Sequence, residues 1–529
     1  MANGAPFVSR RVLCISPRYS PSFGTFEYAY ELMPGTRAFM PPQGLLVIAA
    51  ALPRHWQVRF VDENMSPAAA ADFAWAEVVF VSGMHVQRTY INDIRRRAEA
   101  AGCTTVLGGP SVSACPSHYP DFDYLHIGEL GDATEDLIAR LEQDASRPAA
   151  QIVLTTKERR PLTEFPTPAY ELAQLERYFL GSVQFSSGCP YQCEFCDIPG
   201  LYGRVPRLKT PQQVIGELDK LIAGGVRTTI YFVDDNFIAH RRAVKELLPH
   251  LIEWQRRNGY AVSLACEATL NISRQAETLR MMREAGFNTI FCGVETPDPD
   301  ALKAISKGHN LMTPILDSVR TLNSYGMEVV SGIIIGLDDD TLESGRRISD
   351  FVEASHIPML TINLLQALPH TPLWDRLERA GRLVEDEARE SNVDFLLPYD
   401  EMVRMWREAV GKAYEPAALY ARYDHQVRET YPNRLPRPAS PQRVSFANIK
   451  LGLTLLAKIV WKVGLRGDYR REFWAFAWPK LKKGDIEAVI QAGLTSHHLI
   501  RFAREAVAGT MNASHYSPKQ RSAPAIAAE

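Results

Sequence analysis

Short apolar runs rich in β-branched residues recur along this chain in two separate series, with helical amphipathic stretches between them. Few folds accommodate that alternation. Within residues 10–145 the runs fall at 12–16, 58–62, 78–82, 105–108 and 124–128, each ending in Gly, Ser or Asp. Continuous hydrophobicity of this kind predicts parallel strands buried on both faces. The expectation is a five-stranded, doubly wound, Rossmann-like sheet, and such sheets bind ligands at the carboxyl ends of their strands. Residues 146–181 read as a connector, with Pro161, Pro166 and Pro168 and a charged run at 157–160. The second series, within 182–380, places strands at 182–187, 229–234, 262–267, 289–295, 328–335 and 360–368, separated by helical stretches such as 211–223 and 241–257. These βα units predict a partial (β/α)6 barrel, in which catalytic groups lie at the C-terminal strand ends. Residues 381–516 are helical in pattern, and 517–529 are small and polar, expected to be disordered. The fold class is therefore α/β with a helical C-terminal region.

The chain has 529 residues, room for about three domains at roughly 150 residues each. A formal net charge of -2 argues against nucleic acid as the main partner, which would favour a basic excess. Eight cysteines are too few for a disulfide scaffold, and three of them cluster. That pattern reads as metal ligation in a reducing compartment. Residues 1–11 lack the charged-then-apolar order of a secretory signal. No apolar run approaches the ~20 residues needed to span a bilayer. The expected location is the cytoplasm, with contact at the inner membrane surface left open.

Residues 186–197 read Ser-Ser-Gly-Cys-Pro-Tyr-Gln-Cys-Glu-Phe-Cys-Asp and follow directly on the first strand of the second series. Thiolates are the usual ligands of iron–sulfur clusters. Cys189, Cys193 and Cys196 could hold three irons of a 4Fe-4S cubane and leave the fourth open, and an open metal position marks catalysis. Zinc would ask for a fourth ligand, and no further Cys or His lies nearby; chance spacing is the other plain alternative.

The Cys-x3-Cys-x2-Cys loop resembles that of the radical S-adenosylmethionine (SAM) superfamily. The resemblance implies that the open iron chelates SAM and that one-electron cleavage yields a 5′-deoxyadenosyl radical, with Phe195 shielding the cluster near the adenine. The cofactors then carry the chemistry and the protein positions them. Asp234, Asp235 and Asn236, closing the second strand, are candidates to receive the SAM ammonium; a capping role for the following helix is the plainer reading. Glu267 and Glu295 end the third and fourth strands, where a carboxylate is rarely placed for packing, and ribose hydroxyls are their expected partners. Gly332 and Gly336, in Ser-Gly-Ile-Ile-Ile-Gly-Leu, resemble the superfamily's fifth-strand motif, whose glycines let backbone approach adenine. The acidic residue that follows in that motif falls on Asp339. Cys266 and Cys292 are expected to be core residues.

A doubly wound sheet before such a barrel resembles the cobalamin-dependent class of radical SAM methyltransferases. The carry-over falls on strand-end loops: Phe23 and Gly24 after the first strand, Met84 and His85 after the third, Gly109, Pro110 and Ser111 after the fourth, Gly128 and Glu129 after the fifth. Glycines there allow backbone to approach a ligand closely. The Asp-x-His-x2-Gly signature of a histidine-ligated cobalt is absent, which implies base-off cobalamin; His85 could approach its lower face. An empty fold that has outlived its ligand is the alternative.

Segments 38–44, 108–116, 196–203, 391–398 and 466–469 resemble the hopanoid-methylating branch of that class, over about residues 11–516. This implies methylation of an unactivated sp3 carbon, C-2 of the hopanoid A ring in a diploptene-type lipid. One SAM would generate the radical and a second would remethylate cobalamin, giving methylcobalamin again, with a flavodoxin or ferredoxin as electron donor. Between 447 and 484, nine Lys/Arg stand against two acids, interleaved with Trp461, Phe473, Trp474, Phe476 and Trp478. Basic helices with aromatic faces suit an anionic membrane surface; a helical cap packed on the barrel would look the same. The competing readings are a cobalamin-dependent methylase of another lipid or natural product, a radical SAM enzyme forming bonds without methyl transfer, and a cobalamin-binding protein with an inactive barrel.

Overall fold

The computed structural model describes residues 8–386, 389–436 and 446–510. The tail expected to be disordered, 517–529, lies outside them. Two six-stranded parallel sheets dominate the described residues. The first contains β1 (Arg11–Ser16), β2 (Gln57–Asp62), β3 (Val78–Ser82), β4 (Thr104–Gly108), β5 (Tyr124–Ile127) and β6 (Ile152–Thr155), in the order β2-β1-β3-β4-β5-β6. The sheet thus has six strands where five were expected, and the sixth arises in the presumed connector. It pairs with β5 from Tyr124–Ile152 to Ile127–Thr155 and is half exposed, as an edge strand is. Cores on both faces cover the sheet. Leu13, Val79, Ile91 and Leu107 pack on one side, and Val12, Leu45, Val106 and Leu137 on the other. Successive residues of β1 therefore face opposite cores, which is why its apolar run is unbroken. The strand order reverses between β1 and β3, creating a crevice at their carboxyl ends.

The second sheet contains β7 (Leu180–Val183), β10 (Thr229–Phe232), β11 (Ser263–Glu267), β12 (Phe287–Glu295), β13 (Glu328–Ile335) and β14 (Met359–Leu364), ordered without a crossover. This is the expected partial barrel. Ser186–Ser187 (β8) leaves it to pair antiparallel with Arg207–Leu208 (β9), so the first barrel strand ends earlier than its apolar run suggested. The C-terminal helices share the barrel's core. Trp406, on helix Tyr399–Ala413, is fully enclosed and donates its indole N–H to the Ile362 carbonyl of β14 at 2.8 Å. Tyr414 bonds the Leu360 backbone of the same strand. These helices cap the barrel's open edge, satisfying a strand that would otherwise expose backbone donors and acceptors.

Gln43, at the start of helix Gln43–Ala51, ties the two sheets together. Its amide donates to the Tyr170 hydroxyl at 2.6 Å and to Ser182 on β7. Ser182 in turn donates to the Pro41 carbonyl at 2.8 Å. The carboxyl end of the first sheet is thereby held against the mouth of the barrel.

Candidate active site

The loop bearing Cys189, Cys193 and Cys196 emerges from β8 and is pinned on several sides. The Gly188 N–H donates to Asp235 at 2.7 Å, and the Cys189 N–H to the Gly203 carbonyl at 3.2 Å. Gly188 has φ +95°, and a methyl there would meet the Gly203 carbonyl oxygen at 2.9 Å, so only glycine suits this turn. Glu194 is held by Arg376 from helix Pro372–Arg379. Tyr191 stacks on His309 with centroids 3.9 Å apart and accepts from Asn271 at 2.6 Å. Burial pushes all three thiols above their usual range, and Lys307 draws Cys189 and Cys193 back down. Among the described residues no three His, Cys, Asp or Glu converge on a single-ion site; a cubane spreads its thiolates over separate irons.

Three strand ends, those of β10, β11 and β12, bring four carboxylates to this site. Asp234 is buried and accepts from the backbone N–H groups of Phe185 and Ser186, so it clamps the end of β10 to the start of the cluster loop. Burial pushes Asp234 and Glu267 up to about 7 and Asp235 to about 6; Asp235 adds to the rise at Asp234 and at Glu267, and Glu129 and Asp197 add to the rise at Asp235. Glu267 accepts from the Tyr231 hydroxyl at 3.3 Å. The Asn236 amide is buried beside the Cys189 thiol, with neither of its polar atoms satisfied by a geometrically sound hydrogen bond.

Glu295 sits at a register shift between β12 and β13, with φ 65°. Such bulges re-aim a side chain, and a non-glycine residue held at positive φ is strained by about 1–3 kcal/mol. The bulge turns the carboxylate onto Lys307, with which it forms a buried ion pair. Burial alone would lower Lys307, but Glu295 and Cys193 more than offset it and hold the ammonium above its usual value. Its Nζ lies 5.6 Å from the Phe195 ring centroid, within cation–π range. Gly293 and Gly332 face each other across the two strands. A methyl on Gly293 would meet Lys307 Nζ at 2.7 Å, and one on Gly332 would meet Glu295 Oε2 at 3.5 Å. Gly336, at φ +110°, lies against the Phe395 ring. The N–H groups of Gly336 and Leu337 donate to Asp340 at 2.7 and 3.0 Å, so Asp340 organises this turn rather than Asp339. Cys266 and Cys292 are fully buried.

A cavity of about 390 Å³ opens where the carboxyl ends of the first sheet meet this site. Met84, Gly109, Pro110, Gly128 and Glu129 line it from one side, and Ser187, Tyr202, Val233 and Asp235 from the other. An apolar lobe, lined by Leu45, Ile48, Val106, Leu137 and Ile138, runs into the sheet. Glu129 spans the gap, pairing with Arg207 and with Arg159 (3.4 Å) and accepting from Ser187 at 3.3 Å. Four of the residues expected at cobalamin, Phe23, Gly24, His85 and Ser111, are not among those lining this cavity. Phe23 is buried between Tyr414 and Phe502, at centroid distances of 5.1 and 4.5 Å, and neither it nor Gly24 lines the cavity. Tyr19 takes that position on the first-strand loop. Ser111 is enclosed beneath the β4 loop, bonded to Tyr119 and, at 3.3 Å, to His85. Burial lowers His85 to about 4, and it too is absent from the lining.

Residues 183–352 match the radical SAM superfamily, residues 36–138 the B12 binding domain, and residues 371–512 a domain of unknown function. The hopanoid C-2 methylase of Rhodopseudomonas palustris is 61% identical over 98% of both chains. The chain belongs to the hopanoid C-2 methylase family. It is a cobalamin-dependent radical SAM methyltransferase. The cobalamin-dependent SAM radical enzyme OxsB, solved with aqua-cobalamin and SAM bound, shares the fold over 95% of this chain and 81% of its own (TM-score 0.59, 13% identity). The radical SAM methyltransferase TsrM from Kitasatospora setae, solved with cobalamin and a 4Fe-4S cluster, shares it over 72% and 80% (TM-score 0.53, 18% identity).

The residues present fit the cofactors of the hopanoid C-2 methylase family. Three cysteines on a pinned loop suit a cluster with one open iron, and the unsatisfied Asn236 amide and the carboxylates beside it suit the polar end of SAM. The apolar lobe between helices Gln43–Ala51 and Asp132–Gln143 suits a flat aromatic base, and its mouth between the sheets suits a corrin. Volumes of this order are usual for cofactor sites. Sequence reasoning missed Lys307, Arg207 and Gln43. A lone lysine in a Lys-Gly-His-Asn loop carries no local pattern, and the other two acquire meaning only when the sheets meet.

Proposed function

We propose that this protein methylates C-2 of the A ring of a hopanoid lipid of the diploptene type. It would consume one SAM as radical source and a second to restore the methyl group on cobalamin. The observation that carries the reading is the single cavity lined at once by the first sheet's glycine loops and by Asp235 at the cluster loop, which brings a methyl carrier and a radical source to one substrate. When bound, the cluster, SAM and cobalamin supply an electron, a hydrogen-abstracting radical and a methyl group, and an alkane C–H offers no polar route. The chain's own residues do the holding. Cys189, Cys193 and Cys196 ligate the cluster. Asn236, Asp235, Glu267 and the Glu295–Lys307 pair orient SAM, Phe195 covers the cluster, and Met84, Gly109, Pro110, Gly128 and Glu129 contact the corrin. Residues 10–145 act as the cobalamin domain, 182–380 as the radical domain and 381–516 as the helical domain. A flavodoxin or ferredoxin supplies the electron, and the enzyme works at the inner membrane surface.

Expression in a bacterial host that makes diploptene but no methylated hopanoid tests the substrate. The lipid extract should gain a ring-A-methylated hopanoid by mass spectrometry. An extract with unmethylated hopanoids alone, from cells holding cluster-loaded protein, would refute this substrate.

A further inference from the structure

Helix Phe446–Ile459 and the turn Val460–Leu465 that continues it expose an apolar face. Phe446, Ile449, Leu453, Trp461 and Leu465 are 84, 49, 60, 50 and 55% exposed. With Ala457, also exposed, they recur every three or four residues, the spacing that keeps side chains on one helix face. The opposite face is anchored. Ile459 and Val463 are fully buried, and a methyl on Gly493 of helix Ile486–Val507 would meet Ile459 at 2.7 Å. A surface helix ordinarily turns one apolar stripe inward and a polar one outward; this one is apolar on both.

The charges that this stretch itself carries have one sign; Lys462 pairs with Glu31 and Lys458 donates to the Glu31 carbonyl at 3.3 Å, which leaves Lys450 and Arg466 exposed. Residues 446–467 contain Lys450, Lys458, Lys462 and Arg466 and no Asp or Glu. The Arg466 guanidinium lies 4.4 Å from the Trp461 ring centroid. On the adjacent helix Arg470–Lys483, Trp474 donates to the Gly464 carbonyl at 2.8 Å. One turn on, Lys482 Nζ lies 5.2 Å from the ring of Trp478, itself 55% exposed. No described helix is long and apolar enough to cross a membrane.

We propose that this face docks on an anionic lipid bilayer, with the helix in the plane of the interface and Trp461 and Trp478 at headgroup depth. Tryptophan prefers that depth, and lysine and arginine there keep their stems in the apolar layer and their charges among the phosphates. A second copy of the chain fits worse: a twofold interface would set the exposed cations Lys450 and Arg466, which have no acid beside them on their own helix, against their own copies, and like charges oppose association. The inference deepens the membrane-lipid reading above, yet vesicle binding is measured without catalysis, so the two can fail separately.

The test is flotation of the full reconstituted chain with vesicles of phosphatidylcholine alone or with roughly one third phosphatidylglycerol, beside light-scattering mass measurement. Binding should be at least about tenfold tighter to the anionic vesicles. Leu453→Glu with Trp461→Glu should remove it, with the melting temperature unchanged because both positions are exposed. Leu342→Glu, at an exposed apolar position elsewhere on the surface, should bind as the parent does. No vesicle binding by the parent would overturn the proposal. So would a parent dimer that the stripe variants convert to monomer, since the face would then belong to a second copy.

Discussion

The two parallel sheets are built from the same unit, six strands with helical connections, yet they prepare their carboxyl ends in opposite ways. The first presents glycine loops and an apolar lobe around the cavity; its one acid there, Glu129, is already paired with Arg207 and Arg159. The second presents Asp234, Asp235 and Glu267, buried and raised by burial and by neighbouring acids, with Glu295 beside them paired to Lys307. The difference teaches how each holds its guest. A large, rigid cofactor can be gripped by shape and backbone, so its site needs room and glycine. A small, charged, consumable one must be held by charge, so its site stores electrostatic cost until the ligand arrives.

Breaking one sheet's device should leave the other's intact. The largest effect is expected from Cys193→Ala, which should abolish the cluster's visible absorbance and all 5′-deoxyadenosine formation while cobalamin still binds. Lost cobalamin binding would mean that the two sheets are not separable. Lys307→Met should come next, because it strands a buried carboxylate. Removing one partner of such a pair costs about 3–5 kcal/mol, readable by denaturant unfolding, and adding Glu295→Gln should recover part of it. Gly109→Val should follow. Gly109 has φ +92° and packs against Ser82 and Gly83, so a branched side chain there costs about 1–3 kcal/mol in strain. That cost should appear as a roughly ten- to hundredfold weaker cobalamin Kd, with the cluster spectrum unchanged.

A pH slope tests the same contrast without a mutation. Asp234 and Glu267 titrate near 7 when folded against about 4 when unfolded. The folded chain therefore binds more protons, and its stability falls as pH rises between about 4 and 7. Cofactor-free protein should melt at a higher temperature at pH 5 than at pH 8, and Glu267→Gln should reduce that difference. A melting temperature that rises with pH would contradict the charge-storage account.

The same contrast explains what could be read in the sequence. Strands such as β1, β3 and β13 announce themselves because both faces are buried. β6 does not, since only Leu154 of its four residues is buried and a charged run follows at once. The cysteine loop and the strand-end acids are local patterns and were legible. That Phe23 packs away from the cavity is not legible locally, because its partners, Tyr414 and Phe502, lie nearly the whole chain away. Lys307 was invisible because its meaning is a bulge at Glu295 that only strand pairing creates. Of the aromatic row, Phe473 and Phe476 proved to be core and Trp461 and Trp478 surface; composition names the residues and only packing divides them.

The central claim is that one cavity couples the two sheets' cofactors in a single methyl transfer to a hopanoid. The most direct test is an anaerobic assay of the reconstituted protein with SAM, methylcobalamin, a reductant and diploptene. 5′-Deoxyadenosine, S-adenosylhomocysteine and methylated lipid should rise together in equal amounts over repeated turnovers. 5′-Deoxyadenosine accumulating with neither S-adenosylhomocysteine nor methylated lipid would contradict it.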